Sequence, residues 1–282
     1  METAFLLLVA LSVGSSLGSF VGLCADRIPK GLAVILPPSH CSSCCRLLRW
    51  YELIPIVSFL ALKGKCSGCS AKIPRSAFVA EISGAGIGVY CLVAATSPMD
   101  ALKMATIDYL MLLIALTDWN HLLIPDKAIG FGIIAGLVFH ATLGLDGVLP
   151  AILAGAISLT IMGAIRHLGR VIFKTEAMGM GDVKLGGMIG IFVGVEVFLF
   201  VLWFSSVLGA IYGLALARSD GSRSESLPGD GRGSSWAGRG GVIFRTVSRS
   251  EPLPFGSILA AVTIFAVPFQ SSIEEIFASL FP

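Results

Sequence analysis

The sequence predicts an all-α polytopic membrane protein of about eight transmembrane helices, with a small cysteine-rich insertion after the first. Three observations lead there. Only 13% of the 282 residues are charged and 55% are hydrophobic, where a soluble domain carries about 25% charged residues; the mean hydropathy is +0.87. Apolar runs approaching the length that crosses a bilayer recur along the chain. Basic residues fall on alternate connections between those runs. The 33 glycines suit closely packed membrane helices. A net charge of +2 gives no reason to expect nucleic acid as a partner.

The expected spans are 4–24, 77–96, 104–117, 128–145, 148–165, 183–194, 197–217 and 255–272. The first has Glu2 before its apolar run and Arg27 and Lys30 after it, the charge order of an uncleaved anchor with its N-terminus outside. The stretch 183–217 carries only Lys184 and Glu196 as charges. Gly194-Val195-Glu196 reads as a tight turn that divides it in two. Nineteen of the 20 Lys and Arg residues then lie on four connections that share one side, with Lys103 alone on the other. The positive-inside rule makes those four connections cytoplasmic and both termini external.

The chain thus reads as a first helix over 1–24, a cytoplasmic insertion over 25–76, and a transmembrane core over 77–282. The core carries a flexible cytoplasmic loop at 219–251, where 7 Gly and 8 Ser in 33 residues give a linker composition. The insertion holds two C-x-x-C pairs, Cys41 with Cys44 and Cys66 with Cys69, 21 residues apart. Two such knuckles bring four thiolates around a tetrahedral Zn²⁺, and cytoplasmic thiols stay reduced, so disulfides are the poorer reading. His40 and Cys45 are adjacent candidates. A four-thiolate site has no open position, so the zinc is expected to be structural.

Carboxylates within or beside apolar spans are costly and mark function. Glu81, Asp108, Asp118, Asp126, Asp182 and Glu196 are of this kind. Asp118 closes the third span before Ile124-Pro125-Asp126, and Asp182 opens the sixth in Met178-Gly179-Met180-Gly181-Asp182. Two spans separate them, so both return to the cytoplasmic side although 64 residues apart. Two neighbouring carboxyls share a proton; one then takes a proton from water while the other donates to a scissile carbonyl. Bare backbone at Gly179 and Gly181 is expected to admit a substrate strand. The plain alternative is that Asp182 caps its helix and Asp118 is a solvated helix end.

Gly179-Met180-Gly181-Asp182 is a G-x-G-D signature, and with it the chain resembles the type IV prepilin peptidases. The likeness runs through Gly18-Ser19-Phe20 to Arg27-Ile28-Pro29, the paired C-x-x-C, Glu52 to Ser58, Lys63-Gly64-Lys65-Cys66, Arg75, Glu81 and Leu253-Pro254-Phe255-Gly256. It implies an aspartic endopeptidase of the bacterial inner membrane with Asp118 and Asp182 as catalytic acids. That enzyme cuts the leader of prepilin and pseudopilin precursors after a Gly at the cytoplasmic face. It also implies N-methylation of the new terminus with S-adenosylmethionine, for which no nucleotide motif stands in the sequence. Asp126 is the rival to Asp118 and reads as a turn or capping residue. Membrane lipid is the remaining expected partner. An ion-coupled transporter using acids such as Asp108 and Glu81 is the alternative function, and it leaves the thiol cluster without a purpose.

Overall fold

A computed structural model describes residues 2–174, 178–223 and 254–280. All regular structure in them is helical: α1 (Glu2–Arg27), α2 (Val57–Ala61), α3 (Arg75–Ala94), α4 (Pro98–His121), α5 (Asp126–Leu143), α6 (Leu145–Phe173), α7 (Met180–Arg223), α8 (Phe255–Ala266) and α9 (Gln270–Leu280). Two short 3-10 turns, Trp50–Leu53 and Val267–Phe269, complete it. Among the described residues, five stretches are long and apolar enough to cross a membrane: Glu2–Arg27, Arg75–Ala94, Asp146–Ile172, Met180–Leu216 and Phe255–Ser279. Helices α4 and α5 fall outside that set. The two spans expected over 183–217 form one stretch broken at Gly194. Residues 219–223 continue α7 into the expected loop; the rest of 219–251 lies outside the described residues.

Helix α4 is longer than its apolar run because its start is capped. The Ser97 hydroxyl accepts the Asp100 N–H at 3.1 Å, and Asp100 Oδ2 accepts the Thr96 N–H at 3.0 Å. In α7, Gly194 takes φ 82° and ψ 173°, a conformation that suits glycine and breaks the helix where the sequence reads a turn. Carbonyls just before such a break need new donors. Ile191 O receives His140 Nε2 at 2.9 Å, and Val193 O receives Gln270 Nε2 at 3.5 Å.

Helices α1 and α3 meet through small residues. A Cβ on Gly18 would stand 2.3 Å from the Ala80 carbonyl oxygen, and one on Gly84 would stand 2.5 Å from that of Gly14. The backbones approach at a distance that only glycine permits. Tyr109 of α4 reaches this contact: its hydroxyl lies 2.9 Å from Gly84 O and 3.2 Å from Gly14 O. Tyr109 is therefore an internal clamp on the α1–α3 contact. Elsewhere α7 is the central element, with Leu185, Met188, Ile189, Phe192 and Phe198 fully buried against α5, α6 and α8. Helix α8 packs between α4 and α7.

Candidate active site and metal centre

The last turn of α4 holds Asp118. The chain turns at Leu122, whose φ of 52° is left-handed and whose N–H bonds the Asp118 carbonyl at 2.8 Å. It then runs through Ile124-Pro125 into α5. Asp182 lies in the first turn of α7, where Oδ2 accepts the Gly179 N–H at 3.2 Å. A third-position acid reaching back to the residue before the helix is half of a capping box. Gly181 is bare for a different reason from the one expected. A Cβ there would stand 3.1 Å from the Ile124 side chain, so the glycine lets the α4–α5 turn pack against the start of α7.

The two acids meet beside the first turn of α8. A Cβ on Gly256 would lie 3.0 Å from Asp118 Oδ2 and 3.0 Å from Asp182 Oδ1. The two oxygens therefore stand within twice that distance of each other, around a gap kept open by the absence of a side chain. Both residues are buried. Asp118 Oδ2 is held on its other side by Ser257, whose N–H donates at 2.6 Å and whose hydroxyl lies at 3.0 Å. The same hydroxyl is 3.0 Å from Ala115 O. Asp182 Oδ1 has no hydrogen-bond partner among the described residues. Each acid thus has one oxygen directed at the gap; Asp118 has the Ser257 N–H and a hydroxyl proton shared with Ala115 O, where Asp182 has the Gly179 N–H.

Ser257 is the residue that sequence reasoning missed. It directly follows Pro254-Phe255-Gly256, which was noted only as a motif, and nothing local shows that its donors point at an acid 139 positions earlier. Asp126 does not join the pair. Its carboxylate accepts Lys184 Nζ at 2.8 Å, with both side chains exposed, so it is an ion-pair partner across the α5 and α7 starts and caps nothing. His121 is exposed on the last turn of α4. Asp108 is fully buried, and its carboxyl oxygens have no partner among the described residues. Glu81 accepts from Ser19 Oγ at 3.1 Å and from the Ile56 N–H at 2.7 Å.

The four cysteines converge as two copies of one knuckle. Cys41 N–H bonds Arg46 O and Cys45 N–H bonds Cys41 O; in the second copy Cys66 N–H bonds Ala71 O and Ser70 N–H bonds Cys66 O. The fifth residue of each is left-handed, Cys45 at φ 56° and Ser70 at φ 59°. The sulfurs of Cys41, Cys44, Cys66 and Cys69 lie within 4.8 Å of one another. Zn–S bonds of about 2.3 Å require tetrahedral sulfur edges of about 3.8 Å, and Cys41 Sγ to Cys69 Sγ is 3.8 Å. Donor set and spacing fit a four-thiolate metal. Backbone N–H groups of Gly68 and Cys69 pull the Cys66 thiol below its ordinary value, while the crowding Cys44, Cys41 and Cys66 sulfurs push the Cys69 thiol up. Cys45 is not in the cluster.

The knuckles are cross-linked beside the metal position. Arg46 Nη2 of the first donates to both Glu52 carboxylate oxygens, at 2.7 and 3.0 Å, and to Ser67 Oγ of the second at 2.8 Å. Arg46, the Arg49 N–H and Ser67 hold the Glu52 carboxyl down to about 2.

Fold and site define a helical membrane protein that carries two buried acids at one gap and a four-cysteine centre. Comparison with known proteins agrees. A family profile described as bacterial peptidase A24 N-terminal domain matches residues 12–95, and one described as type IV leader peptidase family matches residues 106–214. A Bacillus subtilis protein named prepilin leader peptidase/N-methyltransferase is 30% identical over 276 residues, spanning 95% of this chain and 96% of that one. A Pseudomonas aeruginosa protein of the same name is 30% identical over 283 residues, spanning 91% and 88%. A Myxococcus xanthus one is 29% identical over 209 residues, spanning 74% of this chain and 62% of its own length. No solved structure matches the chain. The chain belongs to the type IV leader peptidase family.

Proposed function

We propose that this protein removes the leader of type IV prepilins and pseudopilins, using Asp118 and Asp182 as its two acids. The observation that carries the reading is the Gly256 gap, with one oxygen of each carboxyl at its edge. In the proposed reaction Asp118 is the carboxylate, because the Ser257 N–H and shared hydroxyl favour its charge where Asp182 receives the Gly179 N–H. Its oxygen takes a proton from a water held between the acids. The water oxygen bonds to the scissile carbonyl carbon while Asp182 gives its proton to the carbonyl oxygen. The resulting diol collapses: the C–N bond breaks, one carboxyl protonates the departing amine, and the dyad regains its single shared proton.

Counting α4, α5 and both halves of α7 as crossings makes eight spans, which gives the acids a cytoplasmic position in a bacterial inner membrane. That position suits a substrate with a soluble leader inside and an apolar helix in the bilayer. Zinc is the metal proposed for Cys41, Cys44, Cys66 and Cys69, in a structural role, since four thiolates leave no open coordination position. N-methylation of the new terminus from S-adenosylmethionine follows the names of the relatives.

The test incubates the purified full chain with a pilin precursor, with and without S-adenosylmethionine, and follows the products by mass spectrometry. Leader loss and a methyl increment are read separately. Folded Asp118→Asn and Asp182→Asn chains that still trim the precursor at the normal rate would overturn the two-acid reading.

A further inference from the structure

The segment from Trp50 to Leu62 is more densely apolar on its outside than the rest of the insertion, where Leu32, Ile35, Leu36 and Leu47 are also exposed. Six of its large apolar side chains are exposed: Trp50, Tyr51, Leu53, Ile54, Val57 and Leu60, with Trp50 at 78%. The only acid in the segment, Glu52, is turned inward and paired with Arg46. Exposed cations flank it, with Arg49 before and Lys63 and Lys65 after. A contiguous apolar surface rimmed by cations meets a partner that is apolar within and anionic at its edge.

The segment is also fixed at a defined depth. Ile56 sits at φ 63° and ψ −53°, with the Val57 N–H on Pro55 O at 2.6 Å. This is a γ-turn of the strained hand, which a β-branched residue rarely adopts. It is held from α3, where Glu81 accepts the Ile56 N–H at 2.7 Å and Phe78 stacks on Phe59 with ring centroids 4.3 Å apart. Helix α3 is itself a candidate span that starts at Arg75. At 1.5 Å per residue, Phe78 lies about 4.5 Å and Glu81 about 9 Å beyond that start. Interfacial helices bury their apolar faces about 5–10 Å into the headgroup boundary. The ties to α3 therefore put the exposed apolar residues at the depth where lipid begins.

We infer that residues 50–62 form an interfacial anchor inserted in the cytoplasmic leaflet, with Trp50, Leu53, Ile54, Val57 and Leu60 among acyl chains and Arg49, Lys63 and Lys65 at anionic headgroups. The inference rests on the cytoplasmic placement of the insertion proposed above and is independent of the role of the two acids. The anchor holds the metal-binding knuckles flat against the membrane, since the segment joins Arg46 of one to Cys66 of the other.

The test reconstitutes the full chain and its Trp50→Phe variant in phosphatidylglycerol-containing vesicles whose acyl chains are either plain or brominated near the headgroup. The difference in emission between the two proteins reports Trp50 alone. Brominated lipid should lower that difference at least twofold, and Lys63→Gln combined with Lys65→Gln should weaken the quenching. A Trp50 emission unaffected by brominated lipid and fully quenched by aqueous iodide overturns the anchor. So does an emission that becomes protected only when a pilin precursor is added, which would make the surface a peptide-docking site. Leader cleavage is measured on the same vesicles: its loss with quenching intact counts against the protease reading and leaves the anchor standing.

Discussion

Ser257 turns both its backbone N–H and its hydroxyl toward a single oxygen of Asp118, at 2.6 and 3.0 Å. The N–H survives any side-chain replacement, so Ser257→Ala removes one donor and leaves the fold of α8 alone. A hydrogen bond to a charged group is worth about 1.5–3 kcal/mol, which corresponds to a loss of roughly ten- to a hundredfold in kcat. KM for the precursor should stay within about threefold, because the hydroxyl acts on Asp118 and not on the substrate. Ser257→Thr keeps the hydroxyl and should restore most of the rate. Equal losses from Ala and Thr would show that bulk at this position matters and the hydroxyl does not.

Gly256 faces the gap between the acids, and its backbone needs no conformation peculiar to glycine. Gly256→Ala would put a methyl 3.0 Å from both carboxyl oxygens and 2.7 Å from Ile124 Cδ1. The Ile124 side chain can move aside; the space for water and the carbonyl cannot be recovered. Cleavage should fall at least about a hundredfold, with thermal unfolding within a few degrees of the parent. Near-normal cleavage by this variant would show that the reaction takes place elsewhere.

Asp126 and Asp118 are separated by their surroundings. Asp118 is buried at the gap, whereas Asp126 shares an exposed ion pair with Lys184 that solvent screens to no more than about 1 kcal/mol. Asp126→Asn should therefore retain cleavage within about threefold, while Asp118→Asn loses at least about a thousandfold. Rates of leader removal by the two purified variants decide the matter, and a reversed order would exchange their roles.

Much of this was readable in the sequence where the signal is local. Apolar runs marked the five stretches long and apolar enough to cross, and marked α4 and α5 as well, which fall outside that set; Gly194-Val195-Glu196 marked the break in α7, and the spacing of four cysteines marked their cluster. A count of crossings put Asp118 and Asp182 on one side, but their meeting at one gap is fixed by Gly256 of α8, which no count shows. What stayed hidden was tertiary. Ser257 acts on a residue 139 positions away, and Glu81 spends its two oxygens on Ser19 of α1 and the backbone of Ile56. Tyr109 looks amphipathic in the sequence, yet its hydroxyl is consumed by two glycine carbonyls inside the bundle. Gly181 was read as an opening for substrate, but Ile124 fills the space. In each case the partner lies on an element whose register no local pattern fixes.

The Tyr109 clamp has a measurable value. Its hydroxyl joins the closest approach of α1 and α3 at Gly14 O and Gly84 O. Both carbonyls also serve their own helices, so Tyr109→Phe removes a donor without orphaning an acceptor. The cost should be about 1 kcal/mol, seen as a lower midpoint for thermal unfolding in detergent, with leader cleavage unchanged below that midpoint. A variant as stable as the parent would show that the glycine contact alone holds the two helices.

The metal centre and the acids should prove separable. The described ties of residues 50–62 to the core run to α3, through the Ile56 N–H on Glu81 and the Phe59–Phe78 stack, and Glu81 is held in turn by Ser19 of α1. The acids are set by α4, α7 and α8. Cys41→Ser or Cys66→Ser should lower bound zinc from about one per chain to near zero, because a structural site that loses one thiolate loses its closed tetrahedral set. Cys45→Ser should leave the content unchanged, since that thiol lies outside the cluster. Helix content by circular dichroism should hold in all three. Leader cleavage in the zinc-free variants should stay within about tenfold of the parent, with the loss appearing in KM as the insertion loosens. An unchanged zinc content in Cys66→Ser would remove the four-thiolate centre, and complete loss of cleavage with helices intact would show that the insertion shapes the gap between the acids directly.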